Sequence, residues 1–228
     1  MRFLKIPFSE FGVPLEIIDL LPKNKPLIFI DVGASVGHFS LAMCAQYKIQ
    51  KGILIEPVAK LIPVLNNQFS DKNVFKIIHA AISNRVEETD FYVNHGADFV
   101  SSLLKLDNKG EDLVHLHFED AALTRIQALT LDHVTDEEQL SNIDLIKIDV
   151  QGAEHLVLQG ALNTLKKTYA VYTEFSFKPV YEGSSVFIDL YDFLYDQNFV
   201  LIHISSGFAA QNGELLQGDA LFVNKGKM

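Results

Sequence analysis

The sequence predicts an α/β protein built on a mostly parallel sheet with helices on both faces. Three observations carry this. Apolar runs of strand length, among them "LIFIDV" (27–32), "NIDLIKIDV" (142–150) and "TYAVYTEFSF" (168–177), alternate with helix-like segments. The runs are nearly continuous rather than alternating, as strands buried on both faces must be. The chain has 228 residues, 48% hydrophobic and 21% charged, enough for one such domain with a full core and short for two.

Taken in order, "LIFIDV" opens the sheet, "SLAMCAQY" (40–47) reads as the first crossover helix and "KGILIE" (51–56) as the second strand. "VAKLIPVLNNQF" has helical spacing, with Pro63 in its first turn or at a kink. "NVFKIIHAAI" (73–82) is the third strand and its exit. Residues 83–141 break the rhythm: "TDFYVN" and "RIQALTLDHV" read as short extra strands around a long polar loop, "NHGADFVSSLLKLDNKGED", a cover for substrate or cofactor. "AEHLVLQGALNTLKK" is expected as one helix between the fourth and fifth strands, and "SSVFIDLYDFLYDQNF" as an amphipathic helix. "VLIHIS" and "GDALFVN" fit an antiparallel closing pair. A single domain over 1–228 is expected, with 27–228 as its core and 1–26 as an extension or cap. Within it, "FGVPLEIIDLLP" serves either as a cap over the sheet or as a homodimer interface.

Composition excludes some functions. A net charge of −10 without a Lys/Arg cluster argues against a nucleic-acid footprint. The single cysteine, Cys44, rules out an internal disulfide and lies in an apolar helical pattern that suits packing. No apolar run approaches the ~20 residues that span a bilayer, and the N-terminus lacks a signal-peptide core. A soluble, cytoplasmic protein with no membrane partner is expected.

The stretch "FIDVGASVGHFS" (29–40) carries the first chemical signal: a strand ends at Asp31, turns through Gly33 and Gly37, and enters a helix. Such a turn aims backbone N–H groups into the crevice where open α/β sheets bind ligands. The spacing G-x-x-x-G is not the G-x-G-x-x-G of dinucleotide sites. Asp31 would repel a pyrophosphate and suits a cation, so S-adenosylmethionine, with an ammonium and a sulfonium, ranks ahead of NAD. Glu56, ending the second strand, suits ribose hydroxyls in either ligand.

Together with "LIEPVAKLIPVLNNQ", "HAAIS", "SSL", "ALTLDHV" and "IDLIKIDVQGAEHLVLQGA", this stretch resembles the FkbM family of S-adenosylmethionine-dependent methyltransferases, from about Leu27 to Glu174. The resemblance implies a Rossmann-like class I methyltransferase fold, with a seven-stranded mostly parallel sheet and an antiparallel last strand. It implies methyl transfer to a hydroxyl of a small acceptor such as a sugar or secondary metabolite. Carried over by position, Asp31, Gly33, Ala34 and Gly37 would surround the methionine part of the cofactor and Glu56 the ribose. Ala81 and Ile82 would flank the adenine, and Ser101 and Ser102 would lie over the methionine end.

Asp149 and Glu174 end the fourth and fifth strands, so both open on the same crevice and are the candidate catalytic carboxylates. His155, in a helix's first turn, is a candidate base, and His95 in the middle loop a mobile one. Gln151 and Gly152 are expected to shape the turn, and Glu154 to support its helix. Two carboxylates suit Mg²⁺ but make thin support for it, so no metal site is assigned. The acceptor pocket is expected from 94–120, 176–186 and 205–218, with Phe99, Phe118, Phe175, Phe177, Tyr181 and Phe208 as a wall. A non-catalytic S-adenosylmethionine-binding protein and, less favoured, a nicotinamide-dependent oxidoreductase are the competing readings.

Overall fold

The structure is a computed structural model that describes residues 13–94, 101–105, 121–210 and 212–228. His95, Phe99, His115, His117, Phe118 and most of the polar middle loop lie outside the described residues. Among the described residues ten strands are formed: β1 (Leu27–Val32), β2 (Ile49–Ile55), β3 (Phe75–Ile78), β4 (Ala81–Ile82), β5 (Glu87–Asn94), β6 (Ala121–Leu129), β7 (Ile143–Ile148), β8 (Thr168–Ser176), β9 (Phe199–Ala209) and β10 (Leu215–Asn224). Seven of them make one sheet in the order β3-β2-β1-β7-β8-β10-β9. The pairs from β3 through β8 are parallel, and β10 runs antiparallel to both neighbours. The expected antiparallel last strand is thus inserted beside β8 rather than added at the edge.

The α-helices among the described residues are α1 (Leu15–Leu20), α2 (His38–Gln46), α3 (Ile62–Gln68), α4 (Leu131–Glu137), α5 (Glu154–Gln159), α6 (Leu162–Lys166) and α7 (Phe187–Asp196). Alternation along β1 and β7 sends Leu27, Phe29 and Leu145 to one apolar layer and Ile30, Val32, Ile146 and Ile148 to the other. Val13, Ile17 and Leu21, in and around α1, are buried in the first layer, so this segment caps one face of the sheet. Pro63 sits in the first turn of α3, where its missing N–H would have no helical partner anyway.

Three expectations need correction. "NVFKIIHAAI" is two strands, not one: β3 belongs to the main sheet, whereas β4 pairs in parallel with β6. With β5 they form a separate sheet, β4-β6-β5. "RIQALTLDHV" does not continue as a strand, because Thr130 Oγ1 accepts a hydrogen bond from His133 N at 3.0 Å and caps α4. "AEHLVLQGALNTLKK" breaks into α5 and α6, since Gly160 O is taken by Asp132 N. The Asp132 carboxylate in turn accepts from Asn163 N and Thr164 N, which starts α6 afresh.

Candidate functional site

Sheet order reverses between β1 and β7, and open α/β sheets bind ligands beyond the strand ends at such a point. The chain leaves β1 through Gly33 and β7 through Asp149, and the exits are joined. Asp149 N donates to Val32 O at 3.1 Å, while Gly33 N and Ala34 N donate to Ile55 O at 3.0 and 3.1 Å. Gly33 has φ +77°, and a Cβ there would lie 1.9 Å from Asp149 O. Only glycine lets the turn rest on the exit of β7. Gly37, with φ +82°, caps α2, and a Cβ would meet Phe69 at 2.7 Å.

Above this turn opens a cleft of about 630 Å³, counting the part open to solvent. Its apolar lining includes Val58, Leu61, Ala81, Ile82 and Phe91, so the small second sheet supplies part of its wall. Ser35, Glu56, Ser101, Asp149 and Gln151 are its polar lining. Glu56 is 4% exposed and accepts hydrogen bonds from Ser35 N at 2.7 Å and Val58 N at 2.8 Å. Burial pushes its carboxyl up, and the two backbone donors pull it back. Two bonds leave further acceptor capacity on a group with about four lone-pair positions.

Below the cleft lies a buried charge cluster. Lys147, in the middle of β7, donates to Gly33 O at 2.9 Å and stands 3.3 Å from Asp31 Oδ1 and 3.4 Å from Asp149 Oδ2. Burial would lower the ammonium's pKa, but Asp149 and Asp31 outweigh it and hold it well above the ordinary lysine value. Asp31 is fully buried and accepts from Ser40 Oγ at 2.7 Å. Desolvation raises its carboxyl, against Lys147 and Ser40.

Beside this cluster, Gln151 Nε2 donates to Asp149 Oδ1 and Glu174 Oε2, each at 2.9 Å. Tyr181 OH donates to Gln151 Oε1 at 3.2 Å, and Ser102 Oγ to Gln151 O at 2.7 Å. Among the described residues no group of three His, Cys, Asp or Glu side chains converges as metal ligands.

The sequence profile of the Methyltransferase FkbM domain matches residues 31–201, which takes in the turn, the cleft and the charge cluster. The chain belongs to the FkbM methyltransferase family. Membership assigns it S-adenosylmethionine-dependent methyl transfer. It is 27% identical over 227 residues to the 2-O-methyltransferase NoeI of Sinorhizobium fredii (strain NBRC 101917 / NGR234), covering 97% of this chain and 88% of that protein. The crystal structure of Methyltransferase FkbM from Methylobacillus flagellatus KT superposes with a TM-score of 0.58 at 15% identity, over 90% of this chain. This chain spans only 45% of that one's length. The METTL16 methyltransferase domain superposes with a TM-score of 0.51 at 11% identity, over 92% of this chain and 65% of that one. These likenesses establish the class I methyltransferase fold.

Within this FkbM-family domain, Gly33, Glu56, Ala81, Ile82, Ser101 and Asp149, all named from the sequence, line the cleft. Asp31, Ala34 and Gly37 do not. The pleat turns Asp31 away from the cleft, onto Ser40 of α2 and Lys147, so it braces the turn from behind. Ser102 and Glu174 are not among the lining residues either: Ser102 Oγ donates to Gln151 O, and Glu174 Oε2 accepts from Gln151 Nε2. His155 is not among the lining residues: Glu154 turns inward to accept from Val150 N and Gly152 N, and the next residue points about 100° away. It packs edge-on against Phe193 of α7 at 5.2 Å, and desolvation lowers its pKa. Of the expected aromatic wall, Phe175 is core, Phe177 is 40% exposed, Phe208 is half-buried, and Tyr181 reaches the site through Gln151.

Lys147 and the bridging role of Gln151 escaped sequence reading. The signal for the first was present: a lysine inside "DLIKID" must find a carboxylate if the strand is buried.

A pH dependence follows from the β8–β10 pairing, which sets Asp219 opposite Glu174. Burial, then Asp149, push the Asp219 carboxyl up to about 6, against a hydrogen bond from the Tyr172 hydroxyl. Burial raises Glu174 well above the usual carboxylate range, reinforced by Asp149, Glu154 and Asp219. Both groups bind protons more tightly folded than unfolded. Their contribution to stability is therefore complete below the unfolded value near ~4 and is lost as pH rises through the folded one. The melting temperature is expected to climb as pH falls from 8 to 5, and Asp219→Asn to flatten that slope. An unchanged slope in the variant would assign the effect elsewhere.

Proposed function

We propose that this chain transfers the methyl group of S-adenosylmethionine to a hydroxyl of a small, hydroxyl-rich acceptor such as a sugar, with Asp149 as the group that takes the acceptor's proton. The observation that carries this is the contact between the two strand exits, which sets Asp149 beside the Gly33 turn at one end of the cleft. The residues present fit the cofactor. Glu56 keeps free acceptor positions for ribose hydroxyls, and Val58, Leu61, Ala81, Ile82 and Phe91 offer an apolar slot for the adenine. Asp149, on the cleft wall, suits the positive charge of a sulfonium and an ammonium better than it would a pyrophosphate. A 2-O-methylating relative supports a hydroxyl as the acceptor group.

When bound, S-adenosylmethionine supplies an electrophilic methyl on sulfur. The chain's residues do the rest. Asp149 cannot generate an alkoxide in advance, because an alcohol's pKa near ~16 and a carboxylate's near ~4 differ by about 12 units, or roughly 16 kcal/mol. It takes the proton as the acceptor oxygen bonds to carbon. The cleft holds the reacting groups in line, which can be worth up to ~7–11 kcal/mol.

The test is a thermal melt with S-adenosylhomocysteine or NAD, with and without Mg²⁺, followed by an acceptor screen that reads S-adenosylhomocysteine release. A ligand at about a hundred times its Kd adds about 2.7 kcal/mol, roughly 5–11 °C here. A shift with the adenosyl ligand alone is expected. A shift with NAD alone would overturn the reading. Asp149→Asn is expected to keep the melt shift and lose about 10²–10⁴-fold in turnover; parent-like turnover would remove Asp149 from the reaction.

A further inference from the structure

Gln151 occupies the left-handed region at φ +57°, followed by Gly152 at φ +94°. Glutamine rarely adopts that backbone, and glycine there would make the same turn without strain. A strained residue persists where surrounding contacts over-determine it, and these contacts converge on the cleft. Gln151 O accepts from Ser102 Oγ at 2.7 Å, Oε1 accepts from Tyr181 OH at 3.2 Å, and Nε2 donates at 2.9 Å to both Asp149 Oδ1 and Glu174 Oε2. One side-chain amide thus ties the exit of β7 to that of β8 and to the segment carrying Tyr181. Its orientation is unambiguous, because carboxylates accept and the tyrosine hydroxyl donates. Exchanging the amide's N and O would face an acceptor with two acceptors.

Both amide hydrogens are spent on carboxylates. Oxygens bonded to the two hydrogens of one planar amide lie about 5 Å apart. Asp149 Oδ1 is therefore fixed, while Oδ2 stands 3.4 Å from Lys147 Nζ and the side chain stays 39% exposed on the cleft wall. The amide is neutral, so it bridges the two carboxyl groups without adding a charge of its own. A carboxylate at 151 would repel both, and a shorter side chain would not span them.

We propose that Gln151 is the positioning residue of the site: its amide bridges Asp149 and Glu174, and so sets the rotamer of the carboxylate that receives the acceptor's proton. This rests on the methyl-transfer reading only in what Asp149 receives; the bridge can be tested without an acceptor. The full chain, labelled with ¹³C at side-chain carboxyls, is titrated by NMR as parent, Gln151→Gly and Gln151→Met, with melts and S-adenosylhomocysteine binding alongside. Gln151→Gly relieves the backbone, and Gln151→Met keeps the strain and loses both donors.

Both variants are expected to titrate Glu174 at least one pH unit higher than the parent. Gln151→Gly is expected to melt at or above Gln151→Met, with adenosyl-ligand affinity within about threefold of the parent in each. Parent-like titration of Glu174 in either variant would overturn the bridge. Failure of the parent itself to bind S-adenosylhomocysteine would instead count against the methyl-transfer reading, and the titration would still decide the role of Gln151.

Discussion

Lys147→Met is expected to destabilise the fold by about 3–5 kcal/mol, because it removes one partner of a buried pair and strands the other. For a chain of this size that is roughly 6–20 °C in the melting temperature. The stranded partner is Asp31, fully buried and left with one hydrogen bond, from Ser40. The 3.3 Å approach of Lys147 to Asp31 is an ion pair without hydrogen-bond geometry, since Asp31 Oδ1 has no hydrogen-bond partner and the ammonium donates to Gly33 O. What the variant loses is therefore mainly charge compensation and the tether on the turn.

The sign with pH is distinctive. In the parent, the ammonium's raised pKa means its contribution persists up to the unfolded value near ~10.4 and fades only above it. In the variant, Asp31 has lost the partner that held its carboxyl down. The deficit relative to the parent is then expected to shrink as pH falls and Asp31 takes up a proton. Urea denaturation at pH 8 and pH 5 measures both effects, and Asp31→Asn added to Lys147→Met is expected to recover part of the loss at pH 8. A variant as stable as the parent at pH 8 would show that the lysine is dispensable.

Gly33→Ala is expected to abolish binding of S-adenosylhomocysteine and to destabilise by about 2–5 kcal/mol, combining a left-handed backbone with overpacking. The added carbon would sit 1.9 Å from Asp149 O and 3.0 Å from Asp149 C, so the backbone of the β7 exit would have to move. Gly37→Ala makes the informative comparison. Its φ of +82° is as unfavourable, but the new carbon would meet side-chain atoms of Phe69, Leu65 and Gln68, which can shift. Calorimetric titration is expected to show near-parent affinity for folded Gly37→Ala and none for Gly33→Ala. Parent-like affinity in Gly33→Ala would mean that the ligand does not depend on this turn.

How much of this was legible depended on how local the cause was. Strands β1, β7 and β8 were readable because burial on both faces leaves an unbroken apolar run, and the Gly33–Gly37 turn because glycine marks a backbone that other residues avoid. The split of "AEHLVLQGALNTLKK" was not, because what breaks it is Asp132, which is distant in sequence and takes over both Gly160 O and the N-terminus of α6. The jump from β3 to β4 was hidden for the same reason: "FKIIHAAI" is apolar throughout, and only pairing with β6 tells the second piece where to go.

In the site, position was legible and direction was not. Asp31 and Asp149 both flank the crevice in sequence, yet one faces α2 and the other the cleft. His155 missed the cleft by a single residue, since Glu154 takes the inward direction. Gln151 looked like turn chemistry because its strain is visible only in φ, and its purpose only in the distances from its amide.

The Gly33 turn is hydrogen-bonded to β2 on one side and supports β7 on the other, so it amounts to a last rung of the sheet. The segments at 101–105 and 176–186 are tied down by side chains and by scattered backbone bonds, among them the Ser102–Tyr92 pair at 2.9 and 3.1 Å, Phe177 N to Leu216 O at 2.8 Å and Glu182 N to Lys105 O at 2.7 Å. These two kinds of anchoring have different tolerances to mutation. Alterations in the rung propagate into three strands at once, whereas alterations in the surrounding segments stay where they fall. On the proposed reading, acceptor preference can then be altered in the peripheral segments while the turn that would hold the donor is left intact.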